Sequence, residues 1–138
     1  MMISTRGMYA LQFMIDLAEH SEDGVIPLKD IAARQDISTK YLERILPALV
    51  KSNLIQGIQG KEGGYRLTRA AEEYRVGEIL RLAEGDICPV ACLGDGAKSC
   101  EKAESCRTKP LWDGLNQMIN RYLDSVTVAD LMQSEEKL

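Results

Sequence analysis

Four cysteines lie within nineteen residues of the chain, at Cys88, Cys92, Cys100 and Cys106. There is no other cysteine, and the one histidine, His20, is distant in sequence, so thiolate chemistry is confined to this segment. Thiolates are soft ligands that bind zinc and iron-sulfur clusters, and thiols also take part in redox exchange. In a reducing compartment, such a group favours a metal or redox site over a structural disulfide framework.

The length and composition are those of one compact protein. The chain has 138 residues, of which 45% are hydrophobic, and no apolar run approaches the roughly 20 residues that a membrane span requires. The N-terminus enters an amphipathic pattern at once, without an apolar stretch and a cleavage site, so we expect a cytoplasmic protein with no membrane partner. The sequence has no glycine-rich phosphate loop or paired-carboxylate motif, which argues against an enzyme.

Charge is segregated along the chain. The formal net charge is -4, yet residues 38–69 contain six basic and only two acidic side chains. Residues 71–138 contain thirteen acidic and eight basic side chains. A local basic stretch is usually a solvated surface, but it is also typical of a surface that contacts nucleic acid. The secondary structure of the basic stretch is needed to choose between a solvated surface and a nucleic-acid surface.

Apolar periodicity predicts two helices before the basic stretch. The first covers residues 6–20, with Ser4 or Thr5 available as its cap. Its predicted buried stripe is Leu11, Met14, Ile15 and Ala18. The second helix is short, follows Pro27 and ends at Asp36.

A third helix is predicted to begin after Ser38, whose hydroxyl can accept a free amide hydrogen of the first turn. Its predicted buried stripe is Leu42, Ile45, Leu46, Leu49 and Val50, which leaves a polar, basic face opposite. Pro47 lies within this pattern and is expected to bend the helix or loosen its last turns.

A β-hairpin is predicted directly after the third helix. Residues 54–58 and 65–67 have the pattern of two strands, and the glycine-rich residues 60–64 form the turn between them. Two short helices joined by a tight turn, followed by such a hairpin, indicate a winged helix-turn-helix whose second helix enters the major groove. The glycines of the wing would bring Lys61 close to phosphates, while Tyr65 and Leu67 pack beneath.

The C-terminal part predicts a long amphipathic helix. Pro110 suits a first helical position, and an apolar stripe follows it before Asp124 and Ser125 end the pattern. The stripe consists of Leu111, Leu115, Met118, Ile119 and Tyr122. Antiparallel pairing with a second copy would bury it, although packing on its own domain is the alternative. Residues 126–132 predict a short final helix.

These motifs together resemble one known family, the Rrf-two family of bacterial winged-helix transcriptional regulators. The resemblance rests on Ile3-Ser4-Thr5-Arg6-Gly7-Met8-Tyr9-Ala10, Leu28-Lys29-Asp30-Ile31-Ala32, Ser38-Thr39-Lys40-Tyr41-Leu42-Glu43, Gly63-Gly64-Tyr65, Val76-Gly77-Glu78-Ile79-Leu80 and Leu111-Trp112. It implies a homodimer that binds a partly palindromic double-stranded DNA operator. Within the family, the CymR branch resembles this chain in its DNA-binding half but lacks the cysteines, whereas the IscR, NsrR and RirA branches hold an iron-sulfur cluster.

The resemblance implies a division of the chain into four parts. Residues 1–70 correspond to the winged helix-turn-helix, 71–87 to a linker helix, 88–109 to the cluster-binding loop and 110–138 to the dimerisation helices. The expected fold class is therefore mainly α with a small β-hairpin. The candidate DNA-binding residues are Ser38, Thr39, Lys40, Tyr41, Glu43, Arg44, Gln59, Lys61 and Arg66.

By position, Cys92, Cys100 and Cys106 match the three cluster cysteines of the family, and Cys88 is extra. Lys109 occupies the position of a histidine ligand, and a protonated lysine has no lone pair for iron. The fourth ligand is therefore open. Its candidates are Cys88, a loop carboxylate of Asp95, Glu101 or Glu104, a partner carboxylate such as that of Glu43, or a small exogenous ligand.

The resemblance to IscR favours a 2Fe-2S cluster, and the analogy with NsrR and RirA favours 4Fe-4S. The expected function is a cluster-sensing repressor of iron-sulfur biogenesis or of iron and sulfur metabolism genes. A nitric-oxide-responsive or iron-responsive regulator of the same family remains an alternative. A zinc or thiol redox switch is another, although zinc sites more often contain two close cysteine pairs.

Overall fold

Three helices and a hairpin form the first half of the molecule. The computed structural model describes residues 3–90 and 105–132. Helices α1, α2 and α3 span Thr5–Glu19, Leu28–Gln35 and Thr39–Lys51, and strands β1 and β2 span Ile55–Ile58 and Gly64–Leu67. The strands pair antiparallel, with Ile55 opposite Leu67.

Within the described residues, three further α-helices follow. They are α4 (Val76–Glu84), α5 (Lys109–Ser125) and α6 (Val128–Met132). At 17 residues, α5 is about 25 Å long, since each residue adds about 1.5 Å. The predicted class, mainly α with a winged helix-turn-helix and a long C-terminal helix, is confirmed.

A buried carboxylate fixes α2 against α1. Asp16 is 1% exposed and accepts two hydrogen bonds from the Arg34 guanidinium, at 3.0 and 2.7 Å, and one from Gln35 at 2.9 Å. Burial alone would raise the pKa of Asp16, but the hydrogen bonds from Arg34 and Gln35 outweigh it and hold that pKa below its usual value. The ionised carboxylate therefore stabilises the helix pair at neutral pH, and this contribution is lost as pH falls through the lowered pKa.

The wing is tied to the helices by a third, one-residue strand. The amide of Ile26 donates to the Tyr65 carbonyl, and the amide of Tyr65 donates to the Ile26 carbonyl, both at 2.9 Å. A Cβ at Gly64 would collide with the backbone of Ile26, so this approach requires glycine. Tyr65 also packs edge-on against Phe13, with ring centroids 5.9 Å apart. The predicted packing of the wing on the core is confirmed.

Two apolar clusters make up the interior of the described residues. The larger joins α1, α2, α3 and β1 to Tyr74, Ile79 and Val128. The smaller consists of Val76, Leu80, Ile87 and Val126, with Ile3, Leu11, Ile119, Leu123 and Leu131 packed against it. Residues from beyond position 70 therefore contribute to the core of the winged helix itself.

Several local predictions were wrong. Val50 is 39% exposed instead of buried, and Leu11 and Ile15 are only half-buried, because Phe13 and Leu17 occupy the centre of the α1 face. The Ser4 side chain makes no capping bond within its own helix. Helix α3 continues past Pro47 to Lys51, and the predicted bend or loosening of its last turns stays a prediction.

Tyr74 is a core side chain with several hydrogen bonds, and the sequence analysis missed it. Its ring is fully buried, and its hydroxyl donates to the Leu54 carbonyl at 2.7 Å. The same oxygen accepts from the amides of Thr68 and Arg69, at 2.9 and 3.0 Å. It therefore joins both ends of the wing to the segment before α4.

Replacing Tyr74 with phenylalanine is expected to lower the free energy of unfolding by about 1–3 kcal/mol, because a buried carbonyl and two amides lose their shared partner. Urea denaturation at one protein concentration measures the change. Tyr65→Phe is the control, since the Tyr65 hydroxyl holds none of these three groups. Equal midpoints for Tyr74→Phe and the wild type would contradict the assignment.

Candidate nucleic-acid interface and cysteine site

Helix α3 presents a polar face to solvent. Its N-cap is Ser38, whose hydroxyl oxygen accepts the amide hydrogen of Tyr41 at 3.1 Å, as predicted. The apolar positions Leu42, Ile45, Leu46 and Leu49 are buried. The exposed predicted residues on the other face are Ser38, Thr39, Lys40, Glu43 and Arg44. This face thus combines hydrogen-bond donors, acceptors and net positive charge, which is the chemistry of base-edge and phosphate contacts.

Tyr41 differs from the other predicted DNA-binding residues. Its ring is half-buried and packs edge-on against Tyr9 of α1, with centroids 5.1 Å apart and planes at 79°. Tyr41 and Arg44 also share a cavity of about 160 Å³ with Arg6, Ala48 and α4 residues Leu82 and Ala83. Its described contacts therefore connect α3 to α1.

The wing carries the remaining predicted residues. Gln59 and Lys61 are exposed at its tip, and Arg66 is exposed on β2, where its guanidinium donates to Gln56 at 2.8 Å. Gln59 lines a groove of about 670 Å³ that runs between the wing, the start of α2 and the end of α3. The exposed Val50 lies in this groove, together with Lys29.

Of the four cysteines, Cys88 and Cys106 are described, whereas Cys92 and Cys100 lie outside the described residues, as do Asp95, Glu101 and Glu104. Cys106 precedes α5, and its sulfur lies 3.4 Å from the Thr108 hydroxyl. Hydrogen bonds from the Thr108 hydroxyl, and then from the backbone, lower the pKa of the Cys106 thiol, and the Lys109 charge adds to them. This shift makes the thiolate, which is the metal-binding form, more accessible than in an ordinary cysteine.

Cys88 is held near the end of α4. Its thiol donates to the Asp86 carboxylate across 3.8 Å, and the residue is half-buried. The neighbouring Ile87, at 3% exposure, is the residue that is buried at this point of the chain. The Ile87 carbonyl accepts a hydrogen bond from the Asn120 amide of α5 at 3.3 Å. The start of the cysteine segment is therefore attached to both α4 and α5.

Lys109 begins α5 and forms an ion pair with Asp113, with 2.9 Å between ammonium nitrogen and carboxylate oxygen. This agrees with the expectation that it acts as a protonated donor. Within residues 3–90 and 105–132, no three cysteine, histidine, aspartate or glutamate side chains come together in a group that could hold a metal.

Two polar interactions that position these surfaces were missed from the sequence, a helix cap and an ion pair. Glu84 of α4 caps the N-terminus of α1 through Ser4 and Gly7. Arg81 of α4 pairs with Asp124 of α5 at 2.9 Å. The alternation of acidic and basic residues along α4 was the available signal. It does not indicate which residues Arg81 and Glu84 bind, because those residues are dozens of positions away in sequence.

Helix α5 has an exposed apolar stripe. Leu111, Leu115, Met118 and Tyr122 are 61%, 38%, 68% and 57% exposed. Ile119, which was predicted in the same stripe, is half-buried and packs on the smaller core cluster. The helix therefore has one side on its own protomer and one apolar side on the surface. None of the described helices is long and apolar enough to cross a membrane.

Comparison with known proteins gives consistent results. A family model described as "Rrf2: Iron-dependent Transcriptional regulator" matches residues 3–134. The chain is 36% identical to the HTH-type transcriptional regulator IscR of Erwinia tasmaniensis and 34% identical to that of Serratia proteamaculans. Both matches cover all 138 residues of this chain, and 82% and 83% of those proteins.

Solved structures agree with these relatives. T. potens IscR is 34% identical, with a TM-score of 0.77, covering 99% of this chain and 89% of that one. CymR, the global cysteine regulator of B. subtilis, is also 34% identical, with a TM-score of 0.81 and 99% coverage of both chains. The likeness to CymR therefore extends beyond the DNA-binding half. With the exposed basic helix and the wing, these matches establish that the chain belongs to the Rrf2 family of DNA-binding transcriptional regulators and not to a family of enzymes.

Proposed function

We propose that this protein is an iron-sulfur-sensing repressor that binds a partly palindromic operator as a homodimer. Its targets would be genes of iron-sulfur biogenesis or of iron and sulfur metabolism. The observation that carries the proposal is the position of Cys106, whose sulfur lies 3.4 Å from the Thr108 hydroxyl at the start of the long helix α5. A ligand at this position acts directly on the helix that bears the exposed apolar stripe.

The two described cysteines, Cys88 and Cys106, have the side-chain chemistry that a cluster requires. Thiolates are the usual ligands of iron-sulfur clusters, and the surroundings of Cys106 lower the pKa of its thiol. We assign Cys92, Cys100 and Cys106 as ligands, with Cys88 as the candidate for the fourth. A bound cluster, with 2Fe-2S favoured and 4Fe-4S the other type, would supply a centre sensitive to iron supply and oxidants. Lys109 is engaged with Asp113 and acts as a positioning residue of the first turn of α5.

DNA binding is assigned to α3 and the wing. Lys40, Glu43 and Arg44 would meet base edges in the major groove, since their helix face is exposed and follows a well-formed N-cap. Lys61 and Arg66 would contact phosphates from the wing, with Gln59 beside them. Ser38 and Thr39 lie at the helix start, where a side-chain hydroxyl can reach a phosphate. Tyr41 supports this surface from within through its contact with Tyr9.

Dimerisation is assigned to α5. An apolar stripe with four residues between 38% and 68% exposed is costly in water, at about 25 cal/mol for each Å² left uncovered. A second copy of the same helix would cover it with a self-complementary, two-fold interface. Two winged helices held by this interface would face two half-sites of one operator. The orientation of the protomers would set the half-site spacing that the dimer can bind.

A zinc or thiol switch is the second candidate. The feature that favours it is the same lowered pKa of the Cys106 thiol, because a thiolate is also the form that binds zinc and reacts with oxidants. A nitric-oxide-responsive or iron-responsive cluster regulator differs from the first proposal only in the signal, so its residues and its surfaces are the same.

The first experiment is an absorption spectrum of protein purified without oxygen, with iron, sulfide and zinc determined on the same sample. Matched iron and sulfide with absorption beyond about 400 nm would support the cluster assignment, since iron-thiolate and iron-sulfide bonds absorb in the visible. Colourless protein containing zinc, or lacking metal after reconstitution with ferrous iron and sulfide, would replace the first proposal by the second. Exposing the cluster-loaded protein to nitric oxide, oxygen or an iron chelator then identifies the signal.

A further inference from the structure

One carboxylate of α4 caps the first helix of the DNA-binding part. Glu84 is the last residue of α4, and its Oε1 accepts hydrogen bonds from the Ser4 amide at 3.1 Å, the Ser4 hydroxyl at 2.6 Å and the Gly7 amide at 3.0 Å. A carboxylate here satisfies free amides of the first turn and interacts favourably with the helix dipole. The cap that Ser4 was expected to supply therefore comes from 80 positions away.

Gly7 is adapted to this contact. A Cβ at Gly7 would collide with Oε1 of Glu84. Glycine is otherwise a poor residue inside a helix, because it loses more backbone entropy than alanine. Its place in the first turn of α1 is explained by the carboxylate that approaches it.

The same end of α4 leads directly to the cysteine segment. Three residues after Glu84, the buried Ile87 sits in the smaller core cluster and its carbonyl is held by Asn120 of α5. Ile3, next to Ser4, packs against that cluster too. Cys88 follows immediately. The start of α1 and the start of the cysteine segment are thus parts of one packed unit.

The other side of α1 touches the helix assigned to DNA. Tyr9, two residues after Gly7, packs against Tyr41 in the first turn of α3. Arg6 shares the cavity of about 160 Å³ with Arg44 of α3 and Leu82 of α4. A shift of the first turn of α1 therefore changes the support of the DNA-reading face of α3.

We propose that Glu84 couples the cysteine segment to the DNA-reading helix, with its bonds to Ser4 and Gly7 as the connection. Ligation of the cysteines sets the position of the end of α4, Glu84 transfers that position to α1, and the Tyr9–Tyr41 contact transfers it to α3. This inference rests on the proposed cluster-sensing function and names the residue that carries the signal.

The test uses the full-length protein, with and without cluster, reconstituted with ferrous iron and sulfide. The DNA is the duplex that cluster-loaded wild-type protein selects from a randomised library. Fluorescence anisotropy at one salt concentration gives the ratio of apo to cluster-loaded dissociation constants. Typical coupling between two sites corresponds to a change of about 5- to 150-fold in this ratio. Glu84→Ala is expected to bring the ratio to within about twofold of one, while iron and sulfide content stays at the wild-type level.

Two further variants separate coupling from general destabilisation. Glu19→Gln removes one charge at the exposed opposite end of α1 and is expected to keep the wild-type ratio. Gly7→Ala displaces the Glu84 carboxylate without altering it, so it should reproduce the Glu84→Ala result and add nothing in the double variant. Retention of the wild-type ratio by Glu84→Ala, loss of its cluster, or an equal effect of Glu19→Gln would each overturn the proposal.

Unmodified protein provides an independent measurement. The hydrogen-exchange rate of the Gly7 amide is expected to differ on the order of tenfold between the apo and cluster-loaded forms, because its hydrogen bond to Glu84 changes. Equal exchange rates, with a wild-type affinity ratio different from one, would refute the role of Glu84. A wild-type affinity ratio of one, or protein that binds no cluster, would instead refute the proposed function.

Discussion

Met118→Glu is expected to leave the protein monomeric and to weaken operator binding by at least about 100-fold. Met118 is the most exposed residue of the α5 stripe, at 68%. In a two-fold interface the substitution places a carboxylate from each protomer in an apolar contact, where an unpaired buried charge costs about 3–5 kcal/mol. Since 1.4 kcal/mol corresponds to a factor of ten, dimerisation weakens by at least about 100-fold. The operator affinity falls as well, because each monomer then binds a single half-site without a second winged helix attached to it.

Sedimentation velocity at micromolar concentration measures the dimer, and anisotropy measures the operator affinity. Gln117→Glu is the matched control, because it adds the same charge to an exposed position on another side of α5. The control is expected to sediment as the wild type does. A Met118→Glu protein with wild-type mass would show that the stripe is not the dimer interface, and α5 would then require another partner.

Cys106→Ser is expected to abolish cluster binding while leaving the fold intact. A serine hydroxyl does not ionise near neutral pH, so the substitution removes a thiol whose pKa the surroundings lower. The side chain is only half-buried, and the change is one atom, so thermal stability of the apo form should stay close to that of the wild type. Iron and sulfide per protomer should fall by on the order of tenfold after reconstitution, as expected for loss of a cluster ligand.

The paired variant Cys88→Ser separates the ligands. If Cys88 is the fourth ligand, this variant also loses the cluster. If a carboxylate or an exogenous group serves instead, the cluster remains and Cys88→Ser responds as the wild type does. Full iron and sulfide content in Cys106→Ser would contradict the ligand assignment of Cys106 itself.

The sequence predicted the elements of this fold well, because they depend on local periodicity and caps. Ser38 and the buried positions of α3 were identified from spacing alone, and the wing from its glycines. Val50 followed the same spacing but faces the groove beside the wing. The spacing of apolar residues can repeat to the end of a helix. The elements that pack against the helix need not cover its last turn.

The tertiary polar contacts could not be predicted in this way. Tyr74, Asp16 and Glu84 each bind groups that lie far along the chain, and their neighbours in sequence do not indicate these partners. For the cysteine site, the residue types and spacing predict metal or thiol chemistry, and this stays a prediction. The positions of Cys88 and Cys106 depend on how the end of α4 and the start of α5 are placed. Contacts between these two helices, such as the ion pair of Arg81 with Asp124, fix that placement.

The burial of Val128 in the main core restricts how this regulator can be recombined. Val128 is fully buried, and its amide donates to the Tyr74 carbonyl, so the chain returns from α5 to complete the interior beneath α1. Joining residues 1–70 of this chain to the C-terminal part of a relative would separate the winged helix from Tyr74 and Val128, which belong to its core. An exchange confined to residues 91–104 leaves every described core residue in place. If the protein senses a signal as proposed, a new signal specificity is therefore best introduced by replacing this short segment and not by fusing whole domains.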